Sequence, residues 1–297
     1  MDIHLPPRDD YRHVLQPGEH EAVYFVFTTP TGDAFGIARA LFSHDAVLEM
    51  ATVRAGGRTW VFQQRQPWPA ITQPDPDASG PTVRLHCEEP WARWQIGFDS
   101  PVHATDSADV LPLTLAFDFH ATCPPAGHRF GPAYYQAEQG GRLTGALTLG
   151  AQTWTGDWPC IRDHTWGRRP MTLVDGCQVV AIPGRLHLVL VQTPDGLTFF
   201  GRAINAAGDV HPLVAPQLTA TDSGWRVTDP ALGALVWDFH RLSAPLIWHL
   251  GRAGVESVRD APQPGDLLRE ETGPARFTAN TGETCTGFFD QLWRVNL

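Results

Sequence analysis

The sequence predicts an almost all-β chain built as two repeated halves. Three observations carry that expectation. Apolar residues alternate with polar ones at period two along many short segments. Glycine and proline, 28 and 26 of 297 residues, punctuate the chain too often for long helices. Two short patterns recur, in the same order, far apart in the chain.

The alternation is explicit. Trp94, Ile96 and Phe98 are separated by Gln95 and Gly97, and Leu113, Leu115, Phe117 and Phe119 by Thr114, Ala116 and Asp118. Leu143 to Leu149 and Leu186 to Leu190 repeat the scheme. Such alternation sets one face on a core and the other toward water or a lumen. Turn signals stand at Thr31-Gly32-Asp33, Gly56-Gly57, Gly140-Gly141, Asp195-Gly196, Gly208-Asp209 and Ser223-Gly224. Only Ala244 to Arg252 reads as a short helix. Gln66 to Pro81, rich in Pro and Asp, reads as a solvent loop or lid.

The repeat pairs Thr29-Pro30-Thr31-Gly32 with Thr193-Pro194-Asp195-Gly196, each after an apolar run and before a strand with Phe, Gly and Arg (Phe35 to Arg39; Phe200-Gly201-Arg202). Further on, Leu115-Ala116-Phe117-Asp118-Phe119-His120 matches Leu235-Val236-Trp237-Asp238-Phe239-His240. A duplicated β-unit explains both, chance likeness of hairpins being the alternative. Residues 1–160 and 161–297 are the expected halves.

Composition bounds the function. Hydrophobic residues at 42% are enough for a sizeable core. The net charge of −10 repels phosphate and anionic lipid, which speaks against nucleic acid as a partner. All 22 basic residues are arginine, so Schiff-base, P-loop and pyridoxal lysines are excluded. Five scattered cysteines without a CxxC fit reduced thiols in a cytoplasmic protein. The first ten residues show no apolar signal region, and no apolar run is long enough for an integral membrane segment. Thirteen histidines show no H-x-H, H-x-x-x-H or H-E-x-x-H spacing, so no metal is expected. No cofactor-binding signature is present either, and the sequence leaves the oligomeric state open.

The densest chemistry lies at Arg162-Asp163-His164-Thr165-Trp166-Gly167-Arg168-Arg169-Pro170, downstream of Tyr134-Tyr135-Gln136-Ala137-Glu138-Gln139-Gly140-Gly141. On a strand, Arg162, His164 and Trp166 share one face and Asp163 and Thr165 the other, and Gly167 and Pro170 end it. An E-Q-x-G-x-x-x-G strand followed by R-D-H-T-W-G-x-R resembles the two-domain family of carotenoid 1,2-hydratase (CrtC) and AttH proteins. That resemblance implies two tandem lipocalin-like antiparallel β-barrels. It also implies cofactor-independent hydratase or cyclase chemistry on a hydrophobic, terpenoid-like small molecule in a barrel pocket. A non-catalytic carrier of a lipid or isoprenoid is the alternative, and a barrel filled by its own side chains a third.

Protonating an alkene takes a strong acid beside an apolar cavity and a means of stabilising positive charge. A carboxyl buried among aromatics stays protonated near neutrality, and indole faces attract cations. Asp163 and His164 are therefore the candidate catalytic residues. Trp154, Trp158, Trp166, Tyr134, Tyr135, Glu138 and Arg162 are the candidates to bind substrate. The competing structural expectation is that Arg162 or Arg168 pairs with Asp163, which would depress its pKa and disqualify it as an acid. Cys160 reads as a core thiol.

Overall fold

The computed structural model describes residues 5–130, 133–168, 175–193, 196–205, 207–251, 256–258, 263–264 and 266–295. The chain divides into two units, the first comprising Met1–Thr29 and Asp33–Pro170, the second Pro30–Gly32 and Met171–Leu297. The junction expected at 160/161 lies inside the last strand of the first unit.

The first unit contains β1 (His20–Thr28), β2 (Ala34–Ser43), β3 (Ala46–Ala55), β4 (Arg58–Pro67), β5 (Arg84–Glu89), β6 (Arg93–Ala104), β7 (Val110–Ala121), β8 (Ala126–Phe130), β9 (Tyr134–Leu149) and β10 (Gln152–Gly167). The second contains β11 (Gly176–Ile182), β12 (Leu186–Thr193), β13 (Gly196–Ile204), β14 (Val210–Pro212), β15 (Gln217–Thr221), β16 (Gly224–Thr228), β17 (Trp237–Arg241), β18 (Leu246–Gly251), β19 (Glu256–Val258), β20 (Asp266–Ala279) and β21 (Thr284–Arg294). Every ladder among the described residues is antiparallel. The helical turns among the described residues are two short 3₁₀ turns, Pro7–Asp10 and Pro230–Leu232. No described helix is long and apolar enough to cross a membrane.

The fold is two tandem lipocalin-like β-barrels. In the first unit the order β10-β1-β2-β3-β4-β6-β7-β9 closes on itself through the β9–β10 ladder, with β8 beside β9 and β5 beside β6. Closure removes exposed strand edges. In the second unit the order is β14-β13-β12-β11-β21-β20-β17-β16-β15, with β18 on β20.

Where one face meets water the expected alternation is kept. Along β7, Leu113, Leu115, Phe117 and Phe119 are buried, and Thr114, Ala116, Asp118 and His120 are exposed. By contrast, β1, β2, β3 and the second half of β10 are buried on both faces, and their sequences run apolar with little alternation.

The repeat is present but differs in detail. β7 lies between β6 and β9, and β17 between β16 and β20, so Phe117 and Trp237 occupy corresponding strands. The hairpin echo is displaced by one strand. β1 sits between β10 and β2 as β11 sits between β21 and β12, so the counterpart of the β1–β2 hairpin is β11–β12 rather than β12–β13. Pro194 and Asp195 of the echoed turn lie outside the described residues, as do Arg169, Pro170 and Arg252.

Two local expectations are corrected and a third is refined. Ala244 to Gly251 is not helical: Leu246–Gly251 forms β18, because its backbone pairs with β20. Gly140-Gly141 is no turn but the interior of β9; a Cβ on Gly141 would collide with the Phe119 ring packed over it. Gln66 to Pro81 is mostly an exposed loop, as expected, but it is tied down: Asp75 bridges Arg12, the Trp68 N–H donates to the Asp45 carbonyl at 2.9 Å, and Ala78 is in the core.

An aromatic cluster lies in the interior of the first barrel. Phe25 packs on Trp94 and Phe119, and Phe27 on Phe117 and Trp158, with ring centroids 5.1–5.9 Å apart. Cys160 is a fully buried member of this core, and burial pushes its thiol well up, leaving it inert.

Candidate functional site

The second half of β10 is the centre of the first unit's chemistry. It is hydrogen-bonded on one side to β1, with Arg162 opposite Phe25 and Asp163 opposite Tyr24. On the other side it pairs with β9, placing Arg162 opposite Gln139 and Asp163 opposite Glu138. Trp158 and Cys160 point into the core, so Trp154, Arg162, His164 and Trp166 share that inward face. Asp163 points the opposite way, with Glu138, Gln136 and Tyr134 of β9. Because the strand is buried on both faces, each polar group must find a partner within the protein.

On the inward face the partners come from the N-terminal segment. Fully buried Arg162 forms an ion pair with the equally buried Asp10, and its guanidinium lies over the rings of Trp91 and Trp94, 5.1 and 4.6 Å from their centroids. Asp10 also accepts the Trp91 backbone N–H at 2.6 Å and the Trp94 indole N–H at 3.1 Å. Arginine can only donate, so its contact at 3.2 Å with Nδ1 of His164 fixes that atom as an acceptor. The His164 Nε2–H then donates to Glu21 Oε1 at 2.8 Å. Glu21 further accepts the His13 Nδ1–H at 2.7 Å and the His13 backbone N–H at 2.8 Å.

The electrostatics follow from this wiring. Burial favours the neutral form of Glu21, but the hydrogen bonds from His13 and His164 outweigh it and hold the carboxyl below its ordinary pKa. Burial lowers the His164 pKa, with Arg162 acting the same way and Glu21 opposing. The ring is therefore neutral. Trp166 is stacked between His13 and Tyr135, with centroid distances of 4.6 and 5.4 Å.

The donor atoms of His13, Glu21 and His164 all lie within 4.8 Å of one another, a spacing a metal ion could use. Here the three hydrogen-bond to one another, both rings meeting the same Glu21 oxygen, and the adjoining Arg162 charge opposes a cation at this position.

The outward face is chemically different. Asp163 Oδ2 accepts the Gln136 side-chain N–H at 2.8 Å, and the same amide donates to Glu138. Oδ1 of Asp163 is buried and has no hydrogen-bond partner. Burial first, then the neighbouring Glu138 charge, pushes the Asp163 carboxyl well above the ordinary carboxylate range; the Gln136 amide and the more distant Arg39 guanidinium act the other way. Arg39 on β2 is opposite Tyr24, which is itself opposite Asp163, and its guanidinium lies 5.3 Å from the Tyr24 ring centroid.

The expected site residues thus fall into two groups. Asp163, Glu138 and Tyr134 share the outward face. His164, Arg162, Trp166, Tyr135, Trp154 and Trp158 are on the inward one, Trp158 within the aromatic core and Trp154 packed against it. The competing Arg–Asp163 pairing is absent: Arg162 binds Asp10, and Arg168 donates to the Pro17 carbonyl at 3.5 Å. Asp10, His13, Glu21, Gln136, Tyr24 and Arg39 were missed. Glu21 and Arg39 carried a signal, being charges inside the apolar runs of β1 and β2.

Comparison with known proteins supplies a family and a fold. Residues 6–212 match the model of DUF7064, a domain of unknown function, and the chain belongs to that family. No curated protein matches it in sequence. Its structure is similar to that of a protein designated AttH from Nitrosomonas europaea, with a TM-score of 0.63, 14% identity and coverage of 93% of this chain and 92% of that one. It is also similar to kievitone hydratase from Nectria haematococca, with a TM-score of 0.56, 12% identity and coverage of 96% and 94%. CghA in complex with Sch210972 gives 0.51, 11%, 94% and 89%. At these identities the likeness is one of fold.

Proposed function

We propose that the chain is a cofactor-independent acid catalyst that hydrates or cyclises a hydrophobic, terpenoid-like small molecule, with Asp163 as the proton donor. One observation carries this reading. Asp163 is a buried carboxyl with a bare oxygen and no ion pair among the described residues, set beside a second carboxyl, Glu138. Two acids held this close share a proton more readily than both ionise. The arrangement leaves a neutral acid able to donate at neutral pH.

Glu138 is the complementary base, and Tyr134 lies on the same face. His164 acts at a remove: it completes the Asp10–Arg162–His164–Glu21 chain that anchors β10 against the N-terminal segment. The resemblance to carotenoid 1,2-hydratase and AttH, and the fold shared with kievitone hydratase, support the same chemistry. Five free cysteines agree with a cytoplasmic setting.

The test is untargeted mass spectrometry of an apolar metabolite extract incubated in ¹⁸O-water with the wild type or Asp163→Asn. Products formed by the wild type alone, mass-shifted for hydration or isomeric for cyclisation, are expected. Compounds that bind both proteins but are changed by neither would instead mark a carrier.

A further inference from the structure

One amide ties the two carboxyls of the proposed site together. On β9, Gln136 is two residues before Glu138, so both share the outward face with Asp163, which β10 sets opposite Glu138. The Gln136 Nε2 group donates to Oδ2 of Asp163 at 2.8 Å and also to Oε1 of Glu138. A side-chain amide nitrogen carries two N–H donors and accepts nothing. Both donors are therefore spent on carboxyl oxygens, one on each acid.

That wiring tells the two oxygens of Asp163 apart. A neutral carboxyl has a carbonyl oxygen, the better acceptor, and a hydroxyl oxygen, which donates. Oδ2 accepts the Gln136 N–H, whereas Oδ1 receives no hydrogen bond. We infer that, on the reading above, Gln136 is the positioning residue of the site, making Oδ2 the carbonyl oxygen and Oδ1 the atom that holds and delivers the proton. Gln136 acts through Asp163 and exchanges no proton itself. Without the amide the two oxygens become interchangeable, and the proton loses its fixed direction.

The second unit shows which part of this arrangement is particular to the first. Arg142-Leu143-Thr144 on β9 recurs as Arg276-Phe277-Thr278 on β20, and Gly141 is opposite Cys160 as Ala275 is opposite Gly287. In that register Asp290 takes the position of Asp163, Thr272 that of Glu138, and Glu270 that of Gln136. Burial first, then the Glu270 charge, pushes the Asp290 carboxyl well above the ordinary range too. Both units therefore hold an aspartate of raised pKa beside a glutamate. The amide that orients the aspartate stands in the first unit, and the second has a carboxyl in its place. This contrast favours Asp163 over Asp290 as the directed donor.

The experiment is infrared spectroscopy of the full chain at neutral pH, with and without ¹³C at the aspartate side-chain carboxyl. The C=O bands of protonated Asp163 and Asp290 are assigned by their loss in Asp163→Asn and Asp290→Asn. A carbonyl oxygen that accepts a hydrogen bond has a weakened C=O bond and a lowered stretch. Gln136→Met, shown to be folded by circular dichroism, should therefore move the Asp163 band to higher wavenumber and leave the Asp290 band in place. Gln136→Ala, a smaller truncation, should do the same, and Gln136→Asn, which keeps an amide on a shorter stem, should reverse part of the shift. An Asp163 band that stays in place or moves down in either folded truncation overturns the inference, as does an equal movement of the Asp290 band. Absence of a protonated Asp163 band from the wild type overturns instead the acid assignment on which the inference rests.

Discussion

Arg162 and Asp163 are neighbours in sequence whose charges lie on opposite faces of one strand. Arg162 turns inward to Asp10 and the rings of Trp91 and Trp94, while Asp163 turns outward to Glu138 and the Gln136 amide. The pairing that would have quenched Asp163 as an acid is thereby taken up elsewhere. The strand that looks like one cluster of polar residues is two separate groups, an anchor on one face and, on the proposed function, an acid on the other.

The anchor predicts a large stability effect. Asp10→Asn leaves the Arg162 guanidinium buried without its counter-charge, which should cost about 3–5 kcal/mol. Urea unfolding of the purified variant measures it. Replacing both partners together, as Asp10→Leu with Arg162→Met, should cost less than the single change, because no orphan charge remains.

The acid predicts the opposite behaviour. A carboxyl whose folded pKa is raised contributes stability that is complete at low pH and is lost as pH rises above the unfolded value near 3.9. Asp163→Asn removes that penalty. The variant's melting temperature minus that of the wild type should therefore rise with pH from about 5 to about 8. A variant that melts well below the wild type throughout this range would mark Asp163 as an ion-pair member.

His164 carries its own pH signature. Its folded pKa is lowered by burial and by Arg162, so near and below the unfolded value of about 6.5 the unfolded chain binds the extra proton. Stability should fall as pH drops through that window, and at still lower pH Glu21, held below its ordinary value, adds a second loss. His164→Gln should flatten the upper of the two limbs by up to one proton. Chemical unfolding at a series of pH values reads this slope independently of the absolute loss from altered hydrogen bonds.

Packing predicts a third class of effect. Gly141→Ala should destabilise by about 1–3 kcal/mol, because the new methyl meets the Phe119 ring and the His120 carbonyl oxygen. Combining it with Phe119→Leu should cost less than the two separate losses added together. Strict additivity in this double-mutant cycle would show that the His120 carbonyl, not the ring, is what excludes a side chain at position 141.

Much of this was legible in the sequence, for identifiable reasons. Period-two alternation located β6 and β7, because one of their faces meets water. It also separated Arg162 and His164 from Asp163. What alternation cannot do is say which face of a doubly buried strand looks into the core, and so the sequence grouped the indoles with Asp163, which is on the opposite face of β10. The partners Asp10, His13 and Glu21 were hidden by distance, 143 residues separating Glu21 from His164. Gly140-Gly141 misled because glycine marks close approach as readily as a turn. The two Thr-Pro hairpins misled because shared turn chemistry imitates shared position.

The central claim is that Asp163 holds a proton at neutral pH. The direct measurement is carboxyl ¹³C NMR of protein labelled at the aspartate side-chain carboxyl, with the Asp163 signal assigned by its loss in Asp163→Asn. The spectrum is followed from about pH 5 to about pH 8. The account predicts that this signal keeps the chemical shift of a neutral acid at neutral pH, while the exposed aspartates stay at the carboxylate position throughout. A signal at the carboxylate position over the whole range would contradict it.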